Sequence, residues 1–226
     1  MHTTNALLAG LLIAFCAPGL TSCQSEGYAS SLALSGAEHQ RDLTRKVDAV
    51  LEVQTASQAE FASAFDVLLS LQGATAEEVE GLYKKLQLQV DSCARSVERV
   101  DLHIGRVEEG SALLFAAWET ELEQFSSPAM RARSEARMGE ARQGLQHLLE
   151  RLRDARGSMD GILRTQRDFV LYFNHNLSPN SVATLEPENR KFKASMQELN
   201  GLIERAREQA QTFMGELQGA PVETDA

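Results

Sequence analysis

Residues 90–118 read VDSCARSVERVDLHIGRVEEGSALLFAAW, and apolar or small side chains recur in this stretch at alternating steps of three and four. Such steps average about 3.5 residues, the period that keeps one stripe of an α-helix facing a partner helix. A strand would need alternation with period two, which no window of the chain has. The stretch therefore predicts a long helix with one buried stripe.

The same spacing recurs in three further segments, which turn signals separate from one another. A Gly lies at residue 73, and Ser-Pro pairs at 127–128 and 178–179 put Pro where the first turn of a helix tolerates its missing N–H. These breaks predict four helices, over 38–71, 76–125, 128–177 and 180–217, with Pro187 as a kink or restart in the last. The side chains expected in the buried stripes are Leu43, Val47, Val50, Phe61, Leu68, Leu86, Val90, Cys93, Val97, Val100, Ile104, Val107, Ser111, Leu114, Trp118, Phe125, Met138, Ala141, Leu145, Leu148, Leu152, Ala155, Met159, Ile162, Gln166, Phe169, Phe173, Phe192, Met196, Leu199, Ile203, Ala206, Ala210, Phe213 and Leu217.

Helix lengths and short breaks predict how the chain folds back on itself. The two middle helices have about 50 residues each, or about 75 Å at a rise of about 1.5 Å per residue. The short break between them implies an antiparallel hairpin with its tip near Ser127. The flanking helices are shorter. The predicted fold is therefore all-α, an elongated antiparallel helical bundle or coiled coil with a projecting two-helix hairpin.

The N-terminal segment resembles a bacterial lipoprotein signal. Residues 6–17 form an apolar run too short to span a membrane, and residues 20–23, Leu-Thr-Ser-Cys, resemble a lipobox, in which the Cys is acylated before cleavage. The expected organisation is a signal peptide over 1–22, a lipid-anchored flexible tether over 23–37, a helical domain over 38–218 and a disordered tail over 219–226. The alternatives are a signal peptide without lipid and a buried N-terminal helix.

Composition and charge limit the partners. The chain of 226 residues has a formal net charge of −10, and residues 1–22 contain no Asp, Glu, Lys or Arg. An acidic body repels phosphate backbones, which argues against nucleic acid as a partner. Gln24, rather than Asp, follows Cys23, which resembles outer-membrane sorting. The expected partner is thus a membrane of the cell envelope, reached through the N-terminal lipid from the periplasmic side.

The sequence contains no recognised catalytic or metal-binding motif. Glu-x-x-His, His-Glu-x-x-His and Cys-x-x-Cys are absent, as are the glycine-rich loops that hold phosphates. No catalytic residue, metal or cofactor is therefore predicted, and the protein is not expected to be an enzyme. A hydrolase that uses no known motif is the least favoured alternative.

A candidate partner surface lies near the predicted hairpin tip. Trp118 is the only Trp, and acidic side chains over 119–123 face an arginine-rich stretch over 131–142 across the turn. These features indicate either a docking surface or, as the spacing favours, a narrow two-helix core with ion pairs that set the hairpin register. A protein partner there, or self-association, is the expectation for the docking surface. Its proposed residues are Phe115, Trp118, Leu122, Arg131 and Arg137.

Two further side chains allow two interpretations each. Cys93 lies in a buried stripe, which favours a small buried side chain over an intermolecular disulfide. His175 lies at the end of the third helix, where a protonated imidazole interacts favourably with the helix dipole. That role is favoured over metal binding because no partner stands at ligand spacing.

Two segments resemble a known bacterial family. Residues 117–125, AWETELEQF, precede an arginine-rich helix, and residues 170–177, VLYFNHNL, come near its end. Together they are similar to a family of coiled-coil lipoproteins catalogued as a domain of unknown function, over residues 41–214. The resemblance implies no activity and no catalytic residues.

The expected function is structural: an envelope lipoprotein that acts as a helical spacer or adaptor. The alternative is a periplasmic carrier of a small ligand, a lipid or cofactor, held in the core of the bundle. A cavity lined by Phe61, Phe65, Phe169 and Phe173 would favour the carrier, whereas stripes filled throughout would favour the spacer.

Overall fold

The computed structural model describes the backbone of residues 25–218 and the side chains from residue 36 onward. Within that range the chain forms helices and no strand, and the helices are α1 (Ser25–Gln72), α2 (Val79–Leu122), α3 (Pro128–Asn176), α4 (Pro179–Ala183) and α5 (Glu186–Gln218). The predicted all-α, elongated bundle is confirmed. The predicted signal peptide, Cys23 and the predicted tail over 219–226 lie outside the described residues.

The long helices form an antiparallel ring of four. In this ring α1 packs on α2, α2 on α3, α3 on α5, and α5 on α1, while the short α4 packs on α1. Each turn joins neighbours in the ring, so consecutive long helices run in opposite directions. As a result, the α2–α3 turn lies at one end of the bundle, and the α1–α2 turn and the α3–α4–α5 connection lie at the other.

Side-chain caps begin α3 and α4 at the two predicted Ser-Pro breaks. Before α3, the backbone N–H of Met130 donates to Ser127 Oγ at 3.4 Å, and Pro128 occupies the first helical position. Before α4, Ser181 N–H donates to Ser178 Oγ at 3.2 Å in the same way. These oxygens satisfy amides that have no partner inside the helix. The restart predicted near Pro187 is confirmed, because α4 ends at Ala183 and α5 begins at Glu186.

The predicted stripes form the core of the bundle. All of their side chains are buried except Trp118 and Phe125, which pack against the core while partly exposed. Fully burying one large apolar side chain stabilises a fold by about 1.5–3 kcal/mol. The buried side chains come from all four long helices. The apolar stripe of each helix is therefore buried by contact with the other helices.

The first helix is longer than predicted. It begins at Ser25 rather than at 38, so the backbone is helical through the segment for which a flexible tether was expected. Residues 24–36 contain no Pro and several Ala and Leu, which are good helix formers, so nothing in them ends the helix. The described backbone over residues 25–37 is therefore helical where the sequence predicted a flexible tether.

The predicted projecting hairpin is also wrong in its extent. A Cβ built on Gly36 would lie 3.2 Å from Glu121 Oε1, so α1 flanks α2 to its last turn. On the other side, Arg137 Nη2 donates to the carbonyl oxygen of Leu217 near the end of α5. Within the described residues, about two and a half turns of α3 therefore extend beyond α5, and α2 does not extend beyond α1.

Candidate functional site

The aromatic residues near the α2–α3 turn form an interior contact. The Trp118 indole N–H donates to Ser134 Oγ at 2.8 Å, which satisfies its polar group across the hairpin. The rings of Phe115 and Trp118 stack with centroids 6.5 Å apart, and the guanidinium of Arg142 lies 5.0 Å from the centroid of Phe115. This geometry is typical of a small core that holds α2 and α3 together. It is less typical of an exposed aromatic side chain that is free to bind a partner.

The candidate partner surface is not assembled as expected. Phe115 is 7% exposed and Leu122 is 4% exposed, so neither contributes an apolar spot to the outside. Both belong to the buried core of the bundle instead. Arg131 and Arg137 are exposed, but Arg137 donates to a backbone carbonyl of α5 and Arg131 lies 4.0 Å from Glu135.

Ion pairs join the acidic side of α2 to the basic side of α3. They are Glu119 with Arg142 at 2.5 Å, Glu108 with Arg153, and Asp101 with Arg156 at 2.7 Å. All three pairs are partly exposed, and such pairs contribute only about 0.2–1 kcal/mol each. Their regular placement supports the predicted role of charge in setting the register. Burial raises the pKa of Glu121, and the charge of His39 on α1 partly offsets this shift.

The thiol of Cys93 is enclosed in the core. It has no solvent exposure, and burial, reinforced by the negative charge of Glu60, raises its pKa to about 12. A disulfide forms through a thiolate that can reach its partner, and both conditions are unfavourable here. The structure therefore supports the buried small side chain over the intermolecular disulfide.

The predicted position of His175 is confirmed, because it lies in the last turn of α3 and is exposed. Across the part of the chain that the structure describes, no group of three or more His, Cys, Asp or Glu side chains is arranged to hold a metal ion.

The phenylalanines that would line a carrier cavity instead fill the core. Phe61, Phe169 and Phe173 are buried, and the ring of Phe192 lies 5.1 Å from Phe65 and 6.0 Å from Phe169 between centroids. Three recesses on the described surface are open to solvent, and none of these rings lines any of the three. The core around the phenylalanines is therefore occupied by the protein's own side chains.

One recess that the sequence did not predict lies between α2 and α3. This α2–α3 recess has a volume of about 450 Å³ and is lined by Tyr83, Gln87, Val90, Asp91, Arg167, Val170, Leu171 and Asn174. Tyr83 closes its floor: the hydroxyl donates to the carbonyl oxygen of Val170 at 3.3 Å and accepts from the Gln87 amide at 3.0 Å. The feature of the sequence that could have indicated this recess is Leu171, an exposed apolar residue outside the buried stripe of α3.

Gln166 provides a test of how polar groups in the core affect stability. Both of its amide atoms are buried, and apart from a weak interaction with the Cys93 thiol they have no hydrogen-bond partner. A buried unsatisfied polar group costs about 1–3 kcal/mol, so we expect Gln166→Leu to increase the free energy of unfolding by about 1 kcal/mol or more. Urea unfolding followed by circular dichroism measures the change.

Gln54 is the matched control for that substitution. It is equally buried, but its Nε2 donates to the carbonyl oxygen of Leu152 at 3.1 Å. Gln54→Leu would remove that hydrogen bond together with the unpaired Oε1, so we expect a smaller gain in stability than at Gln166, or a loss. Equal effects from the two substitutions would show that hydrogen bonding does not distinguish these positions.

These features define a class: an elongated antiparallel bundle of long helices with a filled core. The chain belongs to the family described as protein of unknown function (DUF2959), whose model matches residues 28–217. The match includes most of the segment expected as a tether, in agreement with the early start of α1. No curated protein and no solved structure matches the chain. Among the described helices, none has the length and hydropathy needed to cross a membrane.

Proposed function

We propose that this protein is a lipid-anchored spacer or adaptor of the bacterial envelope, held through Cys23 in the outer membrane and facing the periplasm. The observation that carries the proposal is the short distance along the chain between the predicted lipid-bearing Cys23 and the helical bundle. Only Gln24 separates the lipobox Cys23 from Ser25, the first described residue of α1. Because α1 is part of the bundle, a lipid at Cys23 would be joined to the bundle through this helix.

The dimensions of the bundle suit a spacer. Helix α1 has 48 residues and α3 has 49, and helices of this size extend for about 70 Å at about 1.5 Å per residue. On this proposal the α1–α2 turn and the α3–α4–α5 connection stand at the far end, about 70 Å from the anchor. That distance would let the protein reach other components well above the membrane surface.

The proposed orientation changes the role expected for the hairpin tip. The start of α1 and the α2–α3 turn lie at the same end of the bundle, since Gly36 contacts Glu121. The tip would therefore be near the membrane, where it supports the anchor, and the opposite end would point away. Partners at a distance from the membrane would meet the sides and the far end of the bundle.

The filled core favours the spacer over the small-ligand carrier. A carrier needs a pocket that encloses most of its ligand's surface. The side chains of Phe61, Phe173 and Phe192 are buried against other protein side chains, and the described recesses are open.

Mass spectrometry of the protein purified from the membranes of a Gram-negative host tests the anchor. We expect the mature chain to begin at Cys23 and to carry a diacylglyceryl group on its sulfur, with a further acyl chain on its amino group. The peptide that contains Cys93 is the internal control and should be unmodified. A mature chain that begins elsewhere, or an unmodified Cys23, would overturn the proposal.

A further inference from the structure

The cross-helix ion pairs between α2 and α3 stop at one position. Direct ion pairs are formed by Glu119 with Arg142, Glu108 with Arg153, and Asp101 with Arg156. From Asp101 the chain runs ten residues back along α2 to Asp91, and from Arg156 it runs eleven residues forward along α3 to Arg167. Since the two helices are antiparallel, these steps of about 15 and 16 Å lead to the same level of the bundle.

At that level Asp91 and Arg167 lie on opposite sides of the recess and do not form an ion pair. Asp91 and Arg167 both line the α2–α3 recess of about 450 Å³. Within the described residues neither forms an ion pair, although both are exposed. The acidic group on one wall and the basic group on the other are therefore available to a partner that presents a basic group and an acidic group at matching positions.

The same level also carries the two most exposed large apolar side chains of the described surface. Leu88 on α2 is 68% exposed and Leu171 on α3 is 67% exposed. One such side chain is ordinary on a protein surface, but Leu171 lines the open charged recess and Leu88 lies at the same level outside it, and this combination favours an interaction surface. A small ligand in the recess would contact Leu171 but would leave Leu88, which does not line the recess, in water, so the features together favour a macromolecular partner.

Symmetry identifies the partner that this pattern fits. A two-fold axis parallel to the bundle would place Asp91 of each copy opposite Arg167 of the other, and Leu88 opposite Leu171. A two-fold axis across the bundle would instead oppose like charges, which is unfavourable. The parallel arrangement also keeps both N-termini at the same end, as two copies anchored in one membrane would require.

We propose that the face around Leu88, Asp91, Arg167 and Leu171 binds a second copy of this chain, and that the two bundles lie side by side and parallel. The partner's Arg167 pairs with Asp91, and the exposed leucines of both copies become buried. This inference concerns a surface that the proposed anchoring does not use, and it stands if Cys23 carries no lipid.

Sedimentation equilibrium of the full chain, in a density-matched mild detergent, tests the proposal. We expect a concentration-dependent dimer, with a dissociation constant raised about tenfold or more by Arg167→Asp, because two attractive pairs become repulsive. The double variant Asp91→Arg with Arg167→Asp exchanges the charges within one chain and should restore the dimer. A different partner protein would not show this rescue.

Two leucine variants complete the test. Leu171→Glu should abolish the dimer, whereas Leu102→Glu, at an exposed leucine on α2 further from the recess, should leave it unchanged. Circular dichroism checks that each variant remains folded. We expect both to fold because the substituted leucines are exposed. A monomeric wild type at every accessible concentration, a dimer insensitive to Arg167→Asp, or a double variant that stays monomeric would each overturn the proposal.

Discussion

We expect Cys23→Ala to move the protein from the membrane fraction to the soluble fraction. The complete lipid on Cys23 holds a protein firmly, whereas the apolar run over 6–17 that is left without it is too short to span a membrane. The body offers little further attachment, since most large apolar side chains with described burial lie in the core. Cell fractionation with immunoblotting measures the distribution, and labelled palmitate reports the acylation.

The matched control is Cys93→Ala. Cys93 lies in the core of the bundle, so its removal leaves the anchor intact and should not change the membrane fraction. If the Cys23→Ala protein sediments quantitatively with membranes and wild type incorporates no labelled palmitate, the lipid does not hold the protein. Loss of both variants to degradation would be recognised from total protein levels, and pulse labelling would then give the initial distribution.

Phe192→Ala should strongly destabilise the bundle. The Phe192 ring joins three helices, because it packs on Phe65 of α1 at 5.1 Å and on Phe169 of α3 at 6.0 Å between centroids. Replacing a buried Phe by Ala costs about 3–5 kcal/mol, from lost burial and from the cavity that remains. Chemical denaturation followed by far-ultraviolet circular dichroism gives the change in the free energy of unfolding.

Leu102→Ala is the control for that loss. Leu102 is an exposed apolar residue, and substitutions at such sites usually change stability by less than about 0.5 kcal/mol. A similarly small effect of Phe192→Ala would mean that the three rings are not packed as described, and it would reopen the core as a space for a ligand.

The buried stripes were predictable because their signal is local. A helix brings residues three and four apart onto one face whatever surrounds it, so the spacing through Val97, Val100 and Ile104 identifies the buried side of α2. The capping Ser127 and Pro128 act within one turn for the same reason. Only Trp118 and Phe125, near the end of the hairpin, are less buried than the stripes predicted.

The extent of α1 was not predictable from the same signals. The segment before residue 38 has weak periodicity and many small residues, which is typical of a tether. Small residues such as Ala also allow a helix that has already formed to continue. Phe115 and Leu122 are buried in the core, which removes most of the expected surface at the tip.

The sequence by itself determined the class of fold, the positions of the turns and the identity of most core residues, because each depends on interactions within a few turns of helix. Only the tertiary structure decided which charges meet. Asp101 reaches Arg156 while Asp91 and Arg167 remain apart across a recess, and no local pattern distinguishes the two pairs. The separation of antiparallel helices at a given level depends on side chains packed from other helices, which lie far away in the sequence.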